Sequence, residues 1–507
     1  MRIGLLLVCL AAAGCTQQDT ARQPVPEAYD YHAVPHVIFY DDGEPLALER
    51  GIFFSPLDHE TPDGALLELP FYRIPSSGET SAPPLFLLAG GPGNSYLDDF
   101  QRSDFLRWIE FYREIGDIVI LEQRGASEAH PKPACDYPVD LDPDEPATIE
   151  VLSSLLRDRA LRCASTWREA GLDLSFFTIE QMARDFDGLR AALGYEQFNL
   201  KGGSFGSQLG LTILRNHEES VHRAILYGVE GLDHTYDLPA LANRQLDKVT
   251  VEVGADPALG RLVPDFRQLT RQVLDRLAAE PARVTLPDPE SGDPVKVAVG
   301  AIDAQLILWS QPLLQGYREG IAKAPALLLA AAQGEFAPFA KAKLEWLQHS
   351  GEVNVMTYLV DCSSGLTGER QALLDETDPD WVLHPSIIDY HLHAVCPALD
   401  VPDVGNEFRR GKTIETPVLL ISGSLDAFTP PEYAERTIDD FPAGHWLLAD
   451  RGDHSGWRVL EEFPALKQAA RDFLTGEPLP EDFPSRVEMP SIDFLLPEMP
   501  AGEDPVT

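Results

Sequence analysis

The sequence predicts an α/β fold in which a mostly parallel, doubly wound sheet carries helices on both faces and is interrupted by a helical insertion. Strands buried on both faces need runs that are apolar at nearly every position. Such runs lie at 85–89, 117–121, 198–200, 224–229, 418–421 and 446–449. Residues 178–193 combine capping-box spacing with an apolar stripe, which predicts an amphipathic helix between two of the strands. The interval 232–408 is rich in Ala and Leu and poor in strand-like runs, which predicts the insertion.

The N-terminus has the pattern of an export signal. Met1-Arg2 precedes an apolar run at 3–13, which is far shorter than the roughly 20 residues that span a bilayer. The run ends in small residues before Cys15, which resembles the lipobox of bacterial lipoproteins. We therefore expect a signal peptide at 1–14, an acylated Cys15 and a chain anchored by lipid in the bacterial cell envelope, at the outer membrane facing the periplasm. An ordinary signal peptide with a chance Cys, or a cytoplasmic protein with an apolar first helix, are the alternatives.

The rest of the chain divides by composition. Residues 15–34 are polar with scattered Pro and predict a tether. Short alternating stretches separated by turn signals predict a β-meander at the start of the first part of the core, 35–231. The insertion at 232–408 is expected to form a helical cap, and 409–475 the second part of the core. An acidic, Pro-rich tail at 476–507 is expected to be extended over the surface or partly disordered.

Charge and motifs exclude several classes of function. The 507 residues include 40 Lys or Arg and 81 Asp or Glu, a formal charge of −41, which excludes a general nucleic-acid binder because phosphate neutralisation needs a basic surface. We find no H-E-x-x-H motif and no clustered Cys/His spacing, and therefore expect no metal or cofactor. The oligomeric state is left open.

Four cysteines remain once Cys9 and Cys15 are set aside, and an exported chain would pair them. They permit three pairings, and proximity in the chain favours Cys135 with Cys163 and Cys362 with Cys396. Each bond would contribute roughly 3 kcal/mol in the chain-entropy model.

The string from Lys201 to Ser207 contains G-x-S-x-G directly after a predicted strand and at the start of a helix-compatible stretch. This is the context of a nucleophile elbow, in which a sharp turn lifts the serine out of the sheet. We therefore predict Ser204 as a nucleophile rather than as a structural turn residue.

A serine nucleophile needs a base, and the base needs a carboxylate that fixes its tautomer. Asp426 follows the strand at 418–421 and His454 follows the strand at 446–449, so the chain order is Ser, Asp, His. We prefer them to Asp439, Asp440 and His445.

The developing oxyanion must be met by backbone amides. One is expected from Phe205, the residue after the nucleophile. The other is expected from Gly91, in a Gly-Pro turn that follows the strand at 85–89.

Three motifs now resemble one family. Gly90-Gly91-Pro92-Gly93, then the Glu122 to Gly125 segment, then the Gly202 to Gly206 elbow look like the signatures of the prolyl aminopeptidase and tripeptidyl aminopeptidase family of α/β-hydrolases. The resemblance covers about 48–230 and 416–457. It implies the α/β-hydrolase fold and an exopeptidase that removes residues from peptide N-termini with a Ser-His-Asp triad beneath a cap. Glu122 stands where the family usually has Asp, and Phe205 where the prolyl branch commonly has Trp.

An aminopeptidase must also hold the free ammonium of its substrate, and a buried carboxylate is a natural partner. Glu230, just after the strand at 224–229, is the candidate; a helix-capping or salt-bridging carboxylate is the alternative. Arg124 is expected either to order the oxyanion loop or to form a structural ion pair.

The sequence thus predicts a serine hydrolase, an aminopeptidase whose partner is a peptide with a free N-terminus. A carboxylesterase acting on small acyl esters and a non-catalytic surface binding protein on a hydrolase scaffold are the alternatives. Contact with a membrane is expected only through the lipid.

Overall fold

The computed structural model describes residues 26–496 except 41–42, 79–81, 98–101, 290, 311–313 and 315. The predicted signal peptide, Cys15 and the last residues of the tail lie outside this part. No helix within it has the length and apolarity needed to cross a membrane.

A ten-stranded sheet and a separate two-stranded hairpin contain the strands of the described chain. The large sheet has the order β1-β2-β3-β5-β4-β6-β7-β10-β11-β12, and β8 and β9 form the hairpin. Strands β1, β2, β3 and β5 pair antiparallel, whereas all pairs from β5 to β12 are parallel. The strands are β1 (Tyr31–Phe39), β2 (Pro45–Pro56), β3 (Leu66–Ile74), β4 (Leu85–Leu88), β5 (Ile118–Leu121), β6 (Phe198–Ser204), β7 (Val221–Val229), β8 (Ala282–Pro287), β9 (Pro294–Val299), β10 (Val418–Gly423), β11 (His445–Asp450) and β12 (Arg486–Glu488). The α/β fold class is confirmed.

Helices cover both faces of the sheet and fill the insertion. They are α1 (Ser103–Tyr112), α2 (Ile149–Glu169), α3 (Ile179–Ala192), α4 (Phe205–Asn216), α5 (Pro239–Ala255), α6 (Leu259–Leu262), α7 (Phe266–Ala279), α8 (Ala301–Ser310), α9 (Arg318–Gln333), α10 (Ala337–His349), α11 (Val355–Ser364), α12 (Gly368–Leu374), α13 (Tyr390–Val395), α14 (Gly405–Arg409), α15 (Pro431–Thr437), α16 (Trp457–Glu462) and α17 (Pro464–Leu474). Helix α3 begins at the Thr178 cap, whose side chain accepts from the Gln181 amide, as the capping-box spacing predicts.

The two faces of the sheet bury different residues. Phe198 and Leu200 of β6 pack in the cluster that contains residues of α3 and α4. Leu85 and Leu87 of β4 pack in the cluster that contains residues of α1 and α17. Because β6 is buried on both faces, even its polar residues Asn199 and Lys201 lie in the core.

The segment 232–408, which we call the cap, has a core of its own. That core also contains Leu425 and Ala427, which flank Asp426 in the loop after β10. The hairpin β8–β9 lies within the cap and was missing from the sequence prediction, although Val295, Val297 and Val299 alternate as a strand requires.

Two further boundaries differ from the sequence prediction. Strand β1 begins at Tyr31, inside the segment expected as a tether. Strand β12 lies in the segment expected as a tail and pairs with β11, which buries Phe483 and Met489.

Both disulfides favoured by proximity form. Cys135 pairs with Cys163, and Cys362 of α11 pairs with Cys396 at the C-terminal cap of α13.

Candidate active site

Ser204 occupies a strained turn between β6 and α4. Its φ of 57° and ψ of −135° lie where residues with a side chain rarely occur. A Cβ on Gly202 would lie 2.4 Å from the Gly206 carbonyl oxygen, and one on Gly206 would lie 2.3 Å from the Leu88 carbonyl oxygen. Only glycine fits at both positions, as the predicted elbow requires.

Asp426 and His454 are in contact. His454 Nδ1 lies 2.9 Å from Asp426 Oδ2. The carboxylate also accepts the Phe428 and Thr429 amides at 3.0 Å, and the Thr429 hydroxyl donates to it at 2.6 Å. These donors fix the carboxylate in an orientation that holds a proton on His454 Nδ1 and leaves Nε2 free to act as a base.

The electrostatics of His454 suit a base that must stabilise its own positive charge. Burial favours the neutral ring, but Asp426, with smaller contributions from Asp453 and Glu230, favours the charged ring more, so the pKa of His454 is raised. The His454 ring packs against Phe428 and against Tyr317 of the cap, with ring centroids 4.8 and 5.8 Å apart. Its amide donates to the Gly316 carbonyl at 2.7 Å, so the cap fixes the loop that carries the base.

The His454 ring lies beside β7, the strand that pairs with the β6 strand ending in Ser204. A Cβ on Gly228 of β7 would lie 3.2 Å from the His454 ring, and β7 pairs with β6 up to Ser204. The Ser204 hydroxyl has no hydrogen-bond partner among the described residues; catalytic hydrogen bonds of this kind often tighten only when substrate binds. Of the alternatives that we weighed, His445 bonds the Pro484 carbonyl instead.

The Gly-Pro turn predicted to supply an oxyanion amide lies against the elbow. A Cβ on Gly90 would lie 3.3 Å from Ser204 Cβ, and Gly91 has a φ of 111°. Phe205, the other predicted donor, is the first residue of α4, so its amide lies at a helix N-terminus where negative charge is favoured.

Two residues of the second motif brace this turn, a role that sequence reasoning missed. Gln123 donates to the Ala89 carbonyl at 2.8 Å and accepts the Gly93 amide at 2.8 Å. Glu122 accepts the Ser95 hydroxyl at 2.6 Å. The turn is therefore held from both sides by side chains that follow β5.

Glu230 lies beside the elbow at the base of the cap. Its amide donates to the Ser207 hydroxyl at 2.8 Å. Burial is the main reason that the pKa of Glu230 is raised to about 8, with His454 and Arg370 acting in the opposite direction and Asp389 in the same one. Glu230 and His454 also influence each other's charge, because each shifts the pKa of the other.

Three more carboxylates interact electrostatically with Glu230, and sequence reasoning missed all three. Burial raises the pKa of Asp361 and of Asp237, and each also interacts with Glu230 and Asp389. Asp389 accepts the Asp237 amide from a left-handed backbone conformation. We call Glu230, Asp237, Asp361 and Asp389 the acidic cluster; all but Glu230 belong to the cap.

Arg124 forms the structural ion pair rather than ordering the Gly-Pro turn. It donates two hydrogen bonds of 2.7 Å to Asp185, which His59 also contacts at 2.9 Å. Its remaining donors reach backbone carbonyls, among them that of Phe176 at 2.6 Å. Within the described ranges we find no group of three or more His, Cys, Asp or Glu side chains arranged to hold a metal ion.

Two features define an α/β protein of the hydrolase type. One is a parallel sheet with a strained serine between strand and helix, and the other is a hydrogen-bonded Asp–His pair that follows it in the chain. The chain belongs to the alpha/beta hydrolase fold family, whose model matches residues 83–456. This confirms that the chain is an α/β-hydrolase, the wider group to which the three motifs pointed.

Curated relatives match a smaller part of the chain. The serine protease Hip1 of Mycobacterium tuberculosis is 25% identical over 179 residues, which are 34% of each chain. The tripeptidyl aminopeptidase of Streptomyces coelicolor is 28% identical over 196 residues, which are 36% of each chain. The chain thus matches about a third of the length of these relatives. Among solved structures, proline iminopeptidase from Mycobacterium smegmatis is 14% identical with a TM-score of 0.39, covering 83% of this chain and 97% of its own.

Proposed function

We propose that this hydrolase cleaves residues from the free N-termini of peptides through an acyl-Ser204 intermediate. His454 Nε2 takes the proton of the Ser204 hydroxyl as Oγ attacks the carbonyl carbon, and Asp426 stabilises the imidazolium. His454 then gives this proton to the leaving amine, and a water molecule releases the acyl group by the same route. The Phe205 and Gly91 amides stabilise the oxyanion.

The acidic cluster carries the proposed preference for a free N-terminus. Carboxylates that are buried beside the candidate base are costly to ionise unless a cation joins them. A substrate ammonium is such a cation, and its binding would let Glu230 ionise. The names of the curated relatives, a serine protease and a tripeptidyl aminopeptidase, agree with this chemistry.

Export and lipidation of Cys15 are part of the same proposal. Two disulfides agree with folding in an oxidising compartment. Mass spectrometry of the mature N-terminus from a bacterial host tests this proposal, since a diacylated or triacylated Cys15 is expected. An unprocessed Met1 would contradict it.

The activity is tested by comparing peptide amides with free and acetylated N-termini and a simple acyl ester. We expect cleavage of the free peptides, and a loss of at least about 100-fold in kcat/KM on acetylation, because the ammonium would be bound by charge-assisted hydrogen bonds. Equal rates on acetylated peptides, or a strong preference for the ester, would instead support the carboxylesterase.

Two variants separate the catalytic and binding parts of the proposal. Ser204→Ala should abolish cleavage and labelling by a fluorophosphonate, whereas Glu230→Gln should keep labelling and weaken cleavage of free peptides by about 10- to 100-fold. Absence of labelling in the wild-type chain would support the non-catalytic alternative. Equal losses of Glu230→Gln on free and acetylated peptides would remove Glu230 from ammonium binding.

A further inference from the structure

The candidate base is carried by a tight loop after β11, residues 451–455, which we call the base loop. The loop begins at Arg451, whose φ of 56° lies in the left-handed region that residues with a side chain rarely adopt. Asp453, which is 3% exposed, directly precedes His454. A strained backbone keeps its conformation only when surrounding contacts hold it. The position of the His454 ring therefore depends on the groups that bind this loop.

Arg318 of the cap contacts the base loop at two points. It is the first residue of α9, and its backbone amide donates to Asp453 Oδ2 at 3.1 Å. Its guanidinium Nη1 donates to the Arg451 carbonyl at 2.7 Å. The other oxygen of Asp453 accepts the Ser455 amide at 2.9 Å. Arg318 and Asp453 together therefore hold the backbone on both sides of His454.

The same guanidinium contacts the C-terminal segment, residues 489–491. Its Nη2 donates to the Pro490 carbonyl at 2.8 Å and to the Ser491 carbonyl at 2.7 Å. The C-terminal segment also contacts the base loop directly, because Arg451 Nε donates to the Met489 carbonyl at 3.2 Å. One guanidinium thus joins the cap, the base loop and the C-terminal segment.

The chemistry of these bonds favours positioning over charge neutralisation. Within the part of the chain that the structure describes, the Arg318 guanidinium donates to backbone carbonyls and forms no ion pair with a carboxylate. A guanidinium is planar and donates in fixed directions, so bonds on two sides of it fix the distance between the two backbones. A flexible lysine ammonium cannot reproduce this fork.

We propose that Arg318 is a positioning residue for His454, and that the C-terminal segment contributes to catalysis by fixing the Arg318 guanidinium. Arg318 holds the base loop in the conformation in which His454 takes the proton of Ser204. It does not touch the substrate. Its loss should therefore slow acylation without weakening peptide binding. Arg318 acts in the same proton transfer, so this role rests on the proposed function.

The test uses the full chain and measures the rate of fluorophosphonate labelling, together with kcat and KM on a free peptide. Labelling needs the base but no bound peptide. Arg318→Met removes the guanidinium and keeps the backbone amide that bonds Asp453. We expect the labelling rate and kcat to fall by about 10- to 100-fold, because a misplacement of about 1 Å can cost about 100-fold. KM should change by less than about twofold.

Arg271→Met is the matched control. Arg271 is also a half-buried arginine of the cap, and it donates to the Asp380 carbonyl at 2.6 Å. None of its hydrogen bonds among the described residues reaches the base loop. This variant should keep the labelling rate, kcat and KM of the wild-type chain.

Two rescues separate positioning from a general loss of structure. Arg318→Lys keeps the charge but not the fork, so its labelling rate should lie between those of the wild-type and Arg318→Met chains. In Arg318→Ala, added ethylguanidinium should raise the labelling rate at least about threefold, because it can make the same carbonyl bonds. The same compound should not accelerate the wild-type chain. Absence of both rescues would contradict a positioning role.

Truncation tests the C-terminal segment. A chain that ends at Glu488 lacks the Pro490 and Ser491 carbonyls and should label at least about threefold more slowly. A chain that ends at Leu496 keeps every contact named here and should label at the wild-type rate. Circular dichroism shows whether each chain folds, since the shorter chain also loses the buried Met489 side chain. If the shorter chain does not fold, the Arg318→Met result decides.

The outcomes distinguish this role from the proposed function. Wild-type labelling together with an unchanged rate in a folded Arg318→Met chain would overturn the role of Arg318 and leave the proposed function intact. A higher KM with unchanged kcat and labelling would also overturn it, because Arg318 would then act on peptide binding. No labelling of the wild-type chain would refute both the proposed function and the positioning role.

Discussion

Replacing Lys201 by methionine is expected to stabilise the folded chain, because its buried amine has no hydrogen-bond partner among the described residues. Methionine has a similar length and volume but no charge to bury. Burial is the main reason that the pKa of Lys201 falls from 10.5 to about 7, with Glu461 raising it and Lys467 lowering it. The phenol groups of Tyr112 and Tyr227 face the same amine but are neutral below pH 10 because burial raises the pKa of both.

The size of the effect follows from this pKa. A fall from 10.5 to about 7 corresponds to about 5 kcal/mol, at 1.36 kcal/mol for each pH unit. The rings of Trp108, Tyr112 and Tyr227, whose centres lie 5.3, 5.2 and 4.9 Å from the amine, return about 1–2 kcal/mol of cation–π attraction. We therefore expect Lys201→Met to raise the free energy of unfolding by about 3 kcal/mol at pH 6–7.

The sign of the pH dependence is also fixed. Below pH 7 both the folded and the unfolded chain carry the proton on Lys201, so the full cost of burial is present. Between pH 7 and 10.5 the unfolded chain carries a proton on Lys201 that the folded chain has lost. Lys201 therefore makes the free energy of unfolding of the wild-type chain rise with pH over this range. The advantage of the variant should therefore shrink to about 2 kcal/mol at pH 9, which is the cost of removing the proton from an amine of pKa 10.5 at that pH.

Urea unfolding of both chains at pH 6, 7.5 and 9, followed by circular dichroism, measures this difference. Lys343→Met is the matched control, because Lys343 is also buried but donates to the Glu145 and Ala298 carbonyls at 2.7 and 2.8 Å and lies 3.1 Å from Asp303. That variant should lose about 3 kcal/mol, because it leaves a buried carboxylate unpaired. A Lys201→Met chain that is less stable than wild type, or whose advantage does not fall with pH, would refute the reasoning.

Three further predictions concern the candidate active site. Because Asp426 raises the pKa of His454 and only the neutral ring accepts a proton, kcat/KM should fall as pH drops through a value above 6.5. Asp426→Asn should move this acidic limb of the pH–rate profile to lower pH and reduce kcat by about 10⁴. A pH–rate profile of both chains measures the two effects. Gln123→Ala should lower kcat by about tenfold with KM nearly unchanged, because it frees the turn that carries Gly91; a change in KM alone would contradict this. The double variant Cys362→Ser, Cys396→Ser should lose roughly 3 kcal/mol of stability and raise KM for free peptides while keeping fluorophosphonate labelling. The reason is that the disulfide joins α11, which carries Asp361, to α13, which follows Asp389. Loss of labelling in a folded chain would contradict this prediction.

The parts of the site that sequence predicted are those that a local pattern specifies. The elbow needs glycines at fixed positions around Ser204, and Asp426 and His454 each follow an apolar strand. The contact between them, at 2.9 Å, follows because parallel strands end at one edge of a sheet.

The parts that sequence missed depend on how distant segments meet. Asp361 and Asp389 lie in the cap, where no motif surrounds them and only packing brings them to Glu230. Lys201 stood within the elbow string, but the alternation of β6 alone does not show that its amine lies among three rings without an acceptor. A lysine in a strand otherwise buried on both faces was the available signal.

The attachment of the cap to the catalytic loops limits how this molecule can admit a substrate. Leu425 and Ala427 anchor the loop of Asp426 in the core of the cap, and Gly316 of the cap accepts the amide of His454. A cap that swung away as one lid would pull the acid and the base out of register with Ser204. Substrate must therefore enter through local movements elsewhere in the cap. A chain whose cap is wide open would be catalytically inactive.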